Sequence, residues 1–323
     1  MTAAGDPCDT LLVTGAAGFI GKHLLAHLAG SPNRPKHVIG LDLRGGTSTP
    51  DIEWLDCDLT NEASVREALG RVRPDGVVHL AGLTGGKHGL GAYFRANVLA
   101  CANVLAASTS LDRPPRILVV GSAAMYGVTE GDYVVVDEAR PLVGTTPYGV
   151  SKILQEKWAL LYSQVRSLPV VCVRPFNIMG PGQPESLVPA AFLRQVADVV
   201  AGRARDVLCG NLETQRDFLD VRDVAAAMWD LMTSGVDVEG QVFNIASGEP
   251  LGIREILDAC IALGGRDVPV RQDPARLRKV DVPVIVGDAT KLRRTAGWRP
   301  SIPWQQSLAD MWRDIRPRIS PPN

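Results

Sequence analysis

Short apolar runs alternate with helix-like segments through the first half of this 323-residue chain. The apolar runs are TLLVTGA, HVIGLDL, DIEWLDCDL, GVVHLAG, RILVVGS and PVVCVRP, and the segments between them include ASVREALGRV and YFRANVLACANVLAAST. Strands that are apolar along their whole length must be covered on both faces, which is typical of a parallel sheet with helical connections. The pattern therefore predicts an α/β protein built on a doubly wound parallel sheet.

The character of the sequence changes after Pro175. The stretch FNIMGPGQPESLVPA is rich in proline and glycine, and a helix-like AFLRQVADVVAGR follows it. The chain is also longer than the roughly 150 residues of an average domain. We expect a first domain over residues 1–175 and a smaller α/β domain over residues 176–323, with some later segments returning to the first domain.

Composition and charge favour small molecules as ligands. The chain has 34 Lys and Arg against 35 Asp and Glu, and a net charge of -1, so no binding of nucleic acid or of an anionic membrane is expected. The six cysteines form no C-x-x-C pair, which indicates neither a disulfide framework nor a zinc site and favours a reducing cytoplasm. No leader peptide and no apolar run of about 18 residues is visible, so neither export nor a membrane span is expected.

The first strand runs into a glycine-rich turn. LLVTGAAGFIG places Gly15, Gly18 and Gly21 at three-residue spacing, before a helix that we expect to begin near Phe19. Such glycines let the backbone approach a pyrophosphate, whose charge is met by the N–H groups at the helix N-terminus. The alternative is an ordinary strand-to-helix turn. The combination with the predicted parallel sheet favours a Rossmann dinucleotide site.

Two acidic residues support this interpretation. Asp42 follows the second strand, where a carboxylate accepts hydrogen bonds from the ribose hydroxyls of NAD and repels the 2′-phosphate of NADP. Arg44 keeps NADP open, since a guanidinium binds a phosphate or stacks on adenine. Asp58 is a candidate for the adenine amino group, with a helix cap as its alternative role. The small residues of HLAG, up to Gly82, would let the cofactor pass closely. NAD is favoured over NADP.

YGVSK places Tyr148 and Lys152 one turn apart on a helix. A neighbouring ammonium group stabilises a phenolate, so we expect Lys152 to lower the pKa of Tyr148 and make it an acid or base near neutral pH. Ser122, at the end of a strand, supplies a hydroxyl for the substrate oxygen. The alternative for Tyr148 and Lys152 is a surface pair without a catalytic role.

These motifs together resemble the extended short-chain dehydrogenases/reductases of the NAD-dependent epimerase/dehydratase type, which act on nucleotide sugars. The resemblance covers nearly the whole chain, with the motifs in the family's order. It implies a nicotinamide that exchanges hydride with a sugar carbon, with Asn97 supporting the active-site helix. The implied contacts with NAD(H) or NADP(H) are Gly15, Gly18, Phe19, Ile20, Gly21, Asp42, Arg44, Asp58, Leu59, Leu80, Ala81, Gly82, Asn97, Tyr148, Lys152 and Pro175.

The stretch GSAAMYG, residues 121–127, separates the reactions of this family. Sugar 4,6-dehydratases carry an acid two residues before the tyrosine, where this chain has Ala124. A methyl group cannot transfer a proton, so dehydration is disfavoured. The fucose-type synthases carry a cysteine near this place and a histidine in the following RP motif, and this chain has RPFNIMGPGQ instead. Reduction of a keto sugar, or 4-epimerisation through a transient ketone, remains.

The second half resembles the family's substrate side. Asn177 in RPFNIMGPG and Arg216 in RDFLDVRD are candidates for the substrate diphosphate, with a local turn amide as the alternative for Asn177. The passage DPARLRKVDVPVIVGDATKLRRTAGWRP resembles that of GDP-4-keto-6-deoxy-D-mannose reductases most closely, which makes Arg278 a second nucleotide contact. Lys279 stands where those reductases commonly have proline. Asp220 and Asp223 are expected to begin a helix.

The sequence therefore predicts an enzyme that reduces the C4 ketone of a GDP-4-keto-6-deoxyhexose. A nucleotide-sugar 4-epimerase and a non-catalytic NAD(P)-sensing protein are the alternatives. Lys87 and His88, in the glycine-rich loop LTGGKHGLG, are further candidates for a catalytic part. The resemblance also implies a homodimer, formed by the helices that carry Tyr148 and FRANVLACANVLAAS.

Overall fold

The first sheet has seven parallel strands in the order β11-β7-β5-β4-β1-β2-β3. A computed structural model describes residues 8–46, 48–84, 88–127, 133–277 and 283–315. The strands are β1 (Thr10–Thr14), β2 (His37–Asp42), β3 (Glu53–Asp56), β4 (Gly76–His79), β5 (Arg116–Val120), β7 (Val170–Pro175) and β11 (Val242–Ile245). The structure confirms the predicted doubly wound parallel sheet.

Helices cover both faces of this sheet. They are α1 (Phe19–Gly30), α2 (Glu62–Val72), α3 (Leu90–Tyr93), α4 (Ala100–Thr109), α5 (Pro147–Arg166) and α7 (Val221–Met232). Leu11 and Val13 of β1 pack in a core with α1 and α7, whereas Leu12 between them packs with α2, α4 and α5. Successive side chains of a strand point to opposite faces, so burial on both sides requires an unbroken apolar run.

The rest of the described residues form two smaller sheets and four α-helices. A five-stranded sheet contains β6 (Tyr133–Val136), β8 (Asn177–Met179), β10 (Gln215–Asp220), β12 (Pro250–Gly252) and β14 (Val284–Gly287), and a two-stranded sheet contains β9 (Val207–Cys209) and β13 (Val270–Gln272). The helices are α6 (Val188–Val200), α8 (Ile253–Gly264), α9 (Thr290–Ala296) and α10 (Trp304–Ile315). Residues of α6, α8 and α10 share a separate core.

The chain crosses between the two regions in both directions. From the second half of the chain, β11 pairs with β7 and so belongs to the large sheet. The helix α7, also from the second half, packs on α1 and covers a face of that sheet. From the first half, β6 pairs with β14 and belongs to the five-stranded sheet. The predicted boundary at residue 175 therefore lies at the end of β7. However, each of the two larger sheets contains strands from both sides of this boundary.

One apolar helix runs from Leu90 to Thr109 through α3, a π-helical turn over Phe94–Leu99 and α4. By length and composition alone it could span a membrane, and half of that stretch is buried. Val104 and Leu105 pack in the core under the large sheet, beside α2 and α5. Its composition is that of a helix packed against a buried sheet.

Candidate active site

The glycine-rich turn requires its glycines. Gly15 has a φ of +67°, and a Cβ atom there would lie 2.6 Å from the backbone nitrogen of Ala81. A Cβ atom on Gly21 would lie 2.6 Å from the carbonyl oxygen of Gly15. Gly18 is the N-cap of α1 and has no side chain with which to cap it. The turn thus brings the first strand, the fourth strand and a helix N-terminus together, and leaves that N-terminus open to an anion.

Carboxylates stand at the ends of two neighbouring strands beside this turn. Asp42 accepts hydrogen bonds from the backbone nitrogens of Ala17 (3.1 Å) and Leu43 (2.8 Å), so the turn and the strand end hold it in place. Asp42 pairs in register with Asp56, which accepts from Gly45 N at 2.7 Å. Two negative charges at this edge suit a ribose diol and oppose a phosphate group.

The other predicted adenosine contacts lie near the same end of the sheet. Asp58 is exposed and accepts from the backbone nitrogen and hydroxyl of Thr60. It does not cap α2, since Asn61 accepts from two N–H groups of that helix; the helix-cap alternative is wrong. Leu59 is buried, and its carbonyl accepts from Asn103 at 2.8 Å. Arg44 lies in the turn after β2.

The fourth strand ends in close packing around Asn97. Leu80 and Ala81 are tied to the first strand by bonds from their N–H groups to Thr14. A Cβ atom on Gly82 would lie 2.6 Å from Asn97 Oδ1, so only glycine fits there. Asn97 accepts from Leu83 N at 2.7 Å and donates to the Leu83 carbonyl at 3.1 Å.

Asn97 also reaches the helix that carries the predicted catalytic tyrosine. It is fully buried, and its amide donates to Ser151 Oγ at 2.8 Å. Ser151 in turn donates to the carbonyl of Tyr148 at 2.7 Å. The predicted support of α5 by Asn97 thus has a direct hydrogen-bonded route. Asn97 lies in the π-helical turn, a form that often marks functional sites.

Ser122 follows the end of β5, and Tyr148 lies in the first turn of α5. The two residues are close to each other in the structure. The Ser122 hydroxyl lies close enough to the Tyr148 phenol to lower its pKa. Thr146 caps α5 by accepting from Gly149 N, with Pro147 at the first position, and this fixes Tyr148 in the first turn. Burial raises the pKa of Tyr148, outweighing the lowering effect of the Ser122 hydrogen bond. The phenol is therefore protonated at neutral pH.

Lys152 lies one turn further along α5 and is 5% exposed. Its ammonium group donates to the carbonyl of Val120 and to Gln155 Oε1, both at 2.8 Å. Burial lowers the pKa of Lys152 to about 8. Burial of the phenol raises the pKa of Tyr148, and the expected lowering of that pKa by Lys152 stays a prediction. The pair does not lie on the surface, since Lys152 is buried and Tyr148 is partly buried.

Two of the substrate-side candidates, Asn177 and Arg216, lie on the paired strands β8 and β10. Asp217 is fully buried and accepts hydrogen bonds from Ser247, Gly248 and Gly287. Asn177, on β8, donates to the Asp217 carbonyl at 2.7 Å, and Arg216 precedes it on β10. Arg216 donates to the carbonyls of its neighbours Gln215 and Pro283. The structure thus brings Asn177 and Arg216 together.

The remaining predicted residues lie at the ends of helices and strands or outside the described residues. Phe19 begins α1 and stacks edge-on against His23, Ile20 follows it, and Pro175 is buried at the end of β7. Arg278, Lys279 and Lys87 lie outside the residues that the structure describes. Asp220 caps α7, and Asp223 accepts from Ser301 and Ile302.

Two residues near Tyr148 complete the site. The ring of Tyr93 lies 6.2 Å from that of Tyr148, centroid to centroid, and the ring of His88 lies 5.6 Å from that of Tyr93. His88 therefore contacts Tyr93 rather than Tyr148. Tyr93 did not emerge from the sequence, although its position one helical turn before Asn97 was a usable indication.

The residues present fit a nicotinamide dinucleotide. The glycine-rich cradle would be filled by any Cβ atom, the helix N-terminus faces it, and the buried Lys152 amine lies next to Gly82. Combined with the parallel sheet, the Ser122, Tyr148 and Lys152 group defines a short-chain dehydrogenase/reductase site. The chain matches the NAD dependent epimerase/dehydratase family over residues 11–246, and it belongs to that family. It is an NAD(P)-dependent enzyme.

Comparison with known proteins agrees with the predicted family. The chain is 33% identical over 314 residues to the GDP-6-deoxy-D-mannose reductase of Pseudomonas aeruginosa, covering 96% of this chain and 98% of that one. It is 28% identical to the GDP-6-deoxy-D-talose 4-dehydrogenase of Aggregatibacter actinomycetemcomitans, covering 89% and 91%. UDP-glucose 4-epimerases also match.

Among solved structures, the fold is similar to that of RMD from Pseudomonas aeruginosa complexed with NADPH. The TM-score is 0.83 and the sequence identity is 30%, with 96% of this chain and 99% of that chain covered. The fold class expected from the sequence is thereby confirmed for nearly the full length of the chain.

Proposed function

We propose that this enzyme reduces the C4 ketone of a GDP-4-keto-6-deoxyhexose. The observation that carries the proposal is the proximity of Ser122 and Tyr148, with Ala123 and Ala124 next to Ser122 in the chain in place of an acid. The pair can protonate one oxygen, and the adjacent methyl groups cannot remove a second proton from the sugar. Similarity to oxidoreductases of GDP-6-deoxy sugars supports the choice of substrate.

The residues divide the work of a ketone reduction. When bound, the nicotinamide supplies the hydride. Ser122 orients the carbonyl oxygen, and Tyr148 donates its phenolic proton as that oxygen becomes a hydroxyl. Lys152 would hold the nicotinamide ribose. It is also close enough to the active site for its ammonium group to affect the electrostatic potential there. Asn177 and Arg216, with Arg278, would bind the diphosphate.

A reductase and an epimerase use the Tyr148 hydroxyl differently. An epimerase first oxidises the sugar and needs its tyrosine as a base, whereas a reductase needs the tyrosine as an acid. Similarity to oxidoreductases of GDP-6-deoxy sugars favours the reductase, in which Tyr148 acts as the acid. The 4-epimerase remains the alternative within the family, and the non-catalytic sensor remains the alternative outside catalysis.

The experiment that tests the proposal combines cofactor analysis with turnover. The purified protein is denatured and any released dinucleotide identified, and oxidation of added NADH or NADPH is then followed with a GDP-4-keto-6-deoxy sugar. Cofactor oxidation that depends on the keto sugar supports the reductase. Stoichiometric bound NAD with interconversion of nucleotide sugars and no net oxidation would establish the epimerase, and no turnover of any nucleotide sugar would favour the sensor.

We further propose a preference for NADH over NADPH, because Asp42 and Asp56 stand at the ribose edge. The variant Asp42→Ser is expected to lower the preference for NADH by about tenfold or more in kcat/KM, since one charge opposite the 2′-phosphate is worth roughly 1–2 kcal/mol. The measurement is steady-state kinetics with each cofactor. Asp51→Ser, an exposed aspartate further along the same loop, is the control. An unchanged ratio in Asp42→Ser would contradict the assignment.

We propose a homodimer formed through α5. This helix exposes five apolar side chains at helical spacing: Val150, Leu154, Trp158, Leu161 and Val165, which are 41% to 64% exposed. Leu90 (73% exposed) and Phe94 (52% exposed) of the neighbouring helix are also apolar. A continuous apolar surface of this kind on a water-soluble fold is typical of an interface, and a second copy presents the same stripe.

A charge in the middle of this stripe is expected to separate the subunits. Leu154→Glu should raise the dimer dissociation constant by about 100-fold or more, because the carboxylate would be buried against apolar side chains. Sedimentation velocity across a concentration series measures the change. Val236→Glu introduces the same charge at an apolar residue of similar exposure (53%) outside α5, and should leave the dimer intact. Equal behaviour of the two variants would argue against the interface.

We also propose a reducing, cytoplasmic location. All six cysteines are free thiols, and five of them are buried: Cys57, Cys101, Cys172, Cys209 and Cys260. Buried free thiols are compatible with a compartment that keeps cysteine reduced. Cell fractionation would test the location.

A further inference from the structure

Tyr93 stands between two other aromatic side chains of the site. Its ring is tilted by 54° to that of Tyr148 at 6.2 Å, and meets the His88 ring edge-on at 5.6 Å. Tyr93 is only 4% exposed, whereas His88 is exposed. Tyr93 therefore contacts both Tyr148 and the exposed His88, and it is the buried member of these two contacts.

The hydroxyl of Tyr93 has a second role in the same place. It donates to the carbonyl of Thr84 at 3.1 Å. Asn97, one turn later on the same helix, holds both the N–H and the carbonyl of Leu83. Two side chains of one helix thus fix two consecutive backbone units directly after the fourth strand, beside Gly82.

A residue that only filled space in the core would not need a hydroxyl bonded to Thr84 or a ring next to Tyr148. Phenylalanine would fill the space around the Tyr93 ring, but would leave the Thr84 carbonyl without this donor. The hydroxyl also acts on its neighbour electrostatically: Tyr93 raises the pKa of Tyr148, in addition to the larger effect of burial. The packing of the Tyr93 ring and the electrostatic effect of Tyr93 therefore both act on Tyr148.

We propose that Tyr93 is a positioning residue for ketone reduction. It sets the place of the Tyr148 ring, and it fixes the Leu83–Thr84 backbone against which the sugar must lie. His88 packs edge-on against the Tyr93 ring. This role rests on the proposed reductase function, because it supposes that Tyr148 donates the proton to the substrate.

Tyr93→Phe removes the hydroxyl and keeps the ring. The KM for the keto sugar is expected to rise about fivefold and kcat to fall about threefold, because the backbone after Gly82 loses an anchor and the reacting groups are less well aligned. The alkaline limb of the pH profile of kcat should move to lower pH, because the pKa of Tyr148 falls and the required phenol is lost earlier. Steady-state kinetics across pH measure both effects.

Tyr162→Phe is the matched control. It removes the same atom from a tyrosine that packs on Trp158 of α5 and has no contact with Tyr148 among the described residues. Its KM, kcat and pH profile should equal those of the unaltered enzyme. A Tyr93→Phe enzyme with all three unchanged would overturn the proposal. Tyr93→Leu, checked for folding by circular dichroism and NADH binding, should lose about tenfold or more in kcat because the ring itself is gone.

A titration without substrate separates this proposal from the proposed function. The ionisation of Tyr148 is obtained as the ultraviolet difference between the enzyme and its Tyr148→Phe variant, and again between Tyr93→Phe and the double variant. A lower pKa of Tyr148 in the Tyr93→Phe background supports the positioning role even if the GDP sugar proves to be the wrong substrate. An identical pKa in both backgrounds would overturn the electrostatic part, whatever the substrate.

Discussion

Tyr148→Phe is expected to lower kcat by about 10²- to 10⁴-fold, which is the usual contribution of a positioned general acid. The ring stays in place on α5, so the affinity for NADH should change by no more than about twofold. Turnover of the keto sugar and fluorescence titration with NADH measure the two quantities. The phenol is the partly buried proton donor that lies beside Ser122.

Tyr133→Phe, on the exposed face of β6, is the control for the loss of a tyrosine hydroxyl. It should retain full activity. If Tyr148→Phe kept more than about a tenth of kcat, a hydroxyl other than that of Tyr148 would be the acid, and Ser122→Ala would then show the larger loss.

Lys152→Met is expected to lower kcat/KM by about 100-fold or more, because it removes a buried positive charge at the predicted nicotinamide ribose. The methionine side chain has a similar length and occupies the same buried space. Val120 and Gln155 lose a donor, so the variant needs a check of folding by thermal unfolding. Activity within about threefold of the unaltered enzyme would exclude the assigned role.

The same substitution changes how stability depends on pH. Burial lowers the pKa of Lys152 from 10.5 to about 8. Between these values the unfolded chain holds a proton that the folded chain has released, so rising pH favours the folded state. The cofactor-free enzyme should therefore gain stability across this window relative to Lys152→Met. Urea unfolding of both proteins at several pH values measures the difference, and parallel curves would refute it.

Local sequence was sufficient for much of the fold and the site. Gly15 and Gly21 are constrained by backbone atoms that a Cβ atom would approach to 2.6 Å, and the apolar strands are constrained by burial on both faces. Both constraints act on neighbouring residues and therefore leave a readable pattern. The helix that begins at Phe19 and the pairing of Tyr148 with Ser122 agree with that pattern.

Features set by distant parts of the chain were not predictable in the same way. Burial of Tyr148 raises its pKa, and burial depends on residues from several elements. The role of Tyr93 depends on the backbone at Thr84, which is nine positions earlier, and the exchange of β6 with the second sheet depends on pairing with β14. The apolar composition of these segments specifies that they are buried, but not which neighbour they meet.

The return of β11 to the large sheet bears on the order in which the chain can fold during synthesis. Until Val242–Ile245 has left the ribosome, β7 would present an unpaired edge and the face under α1 would lack α7. An exposed edge strand of buried, apolar composition pairs readily with other chains. The nascent first half is therefore expected to need shielding by a chaperone until about three-quarters of the protein has been made, and a version truncated after β7 should accumulate as aggregates.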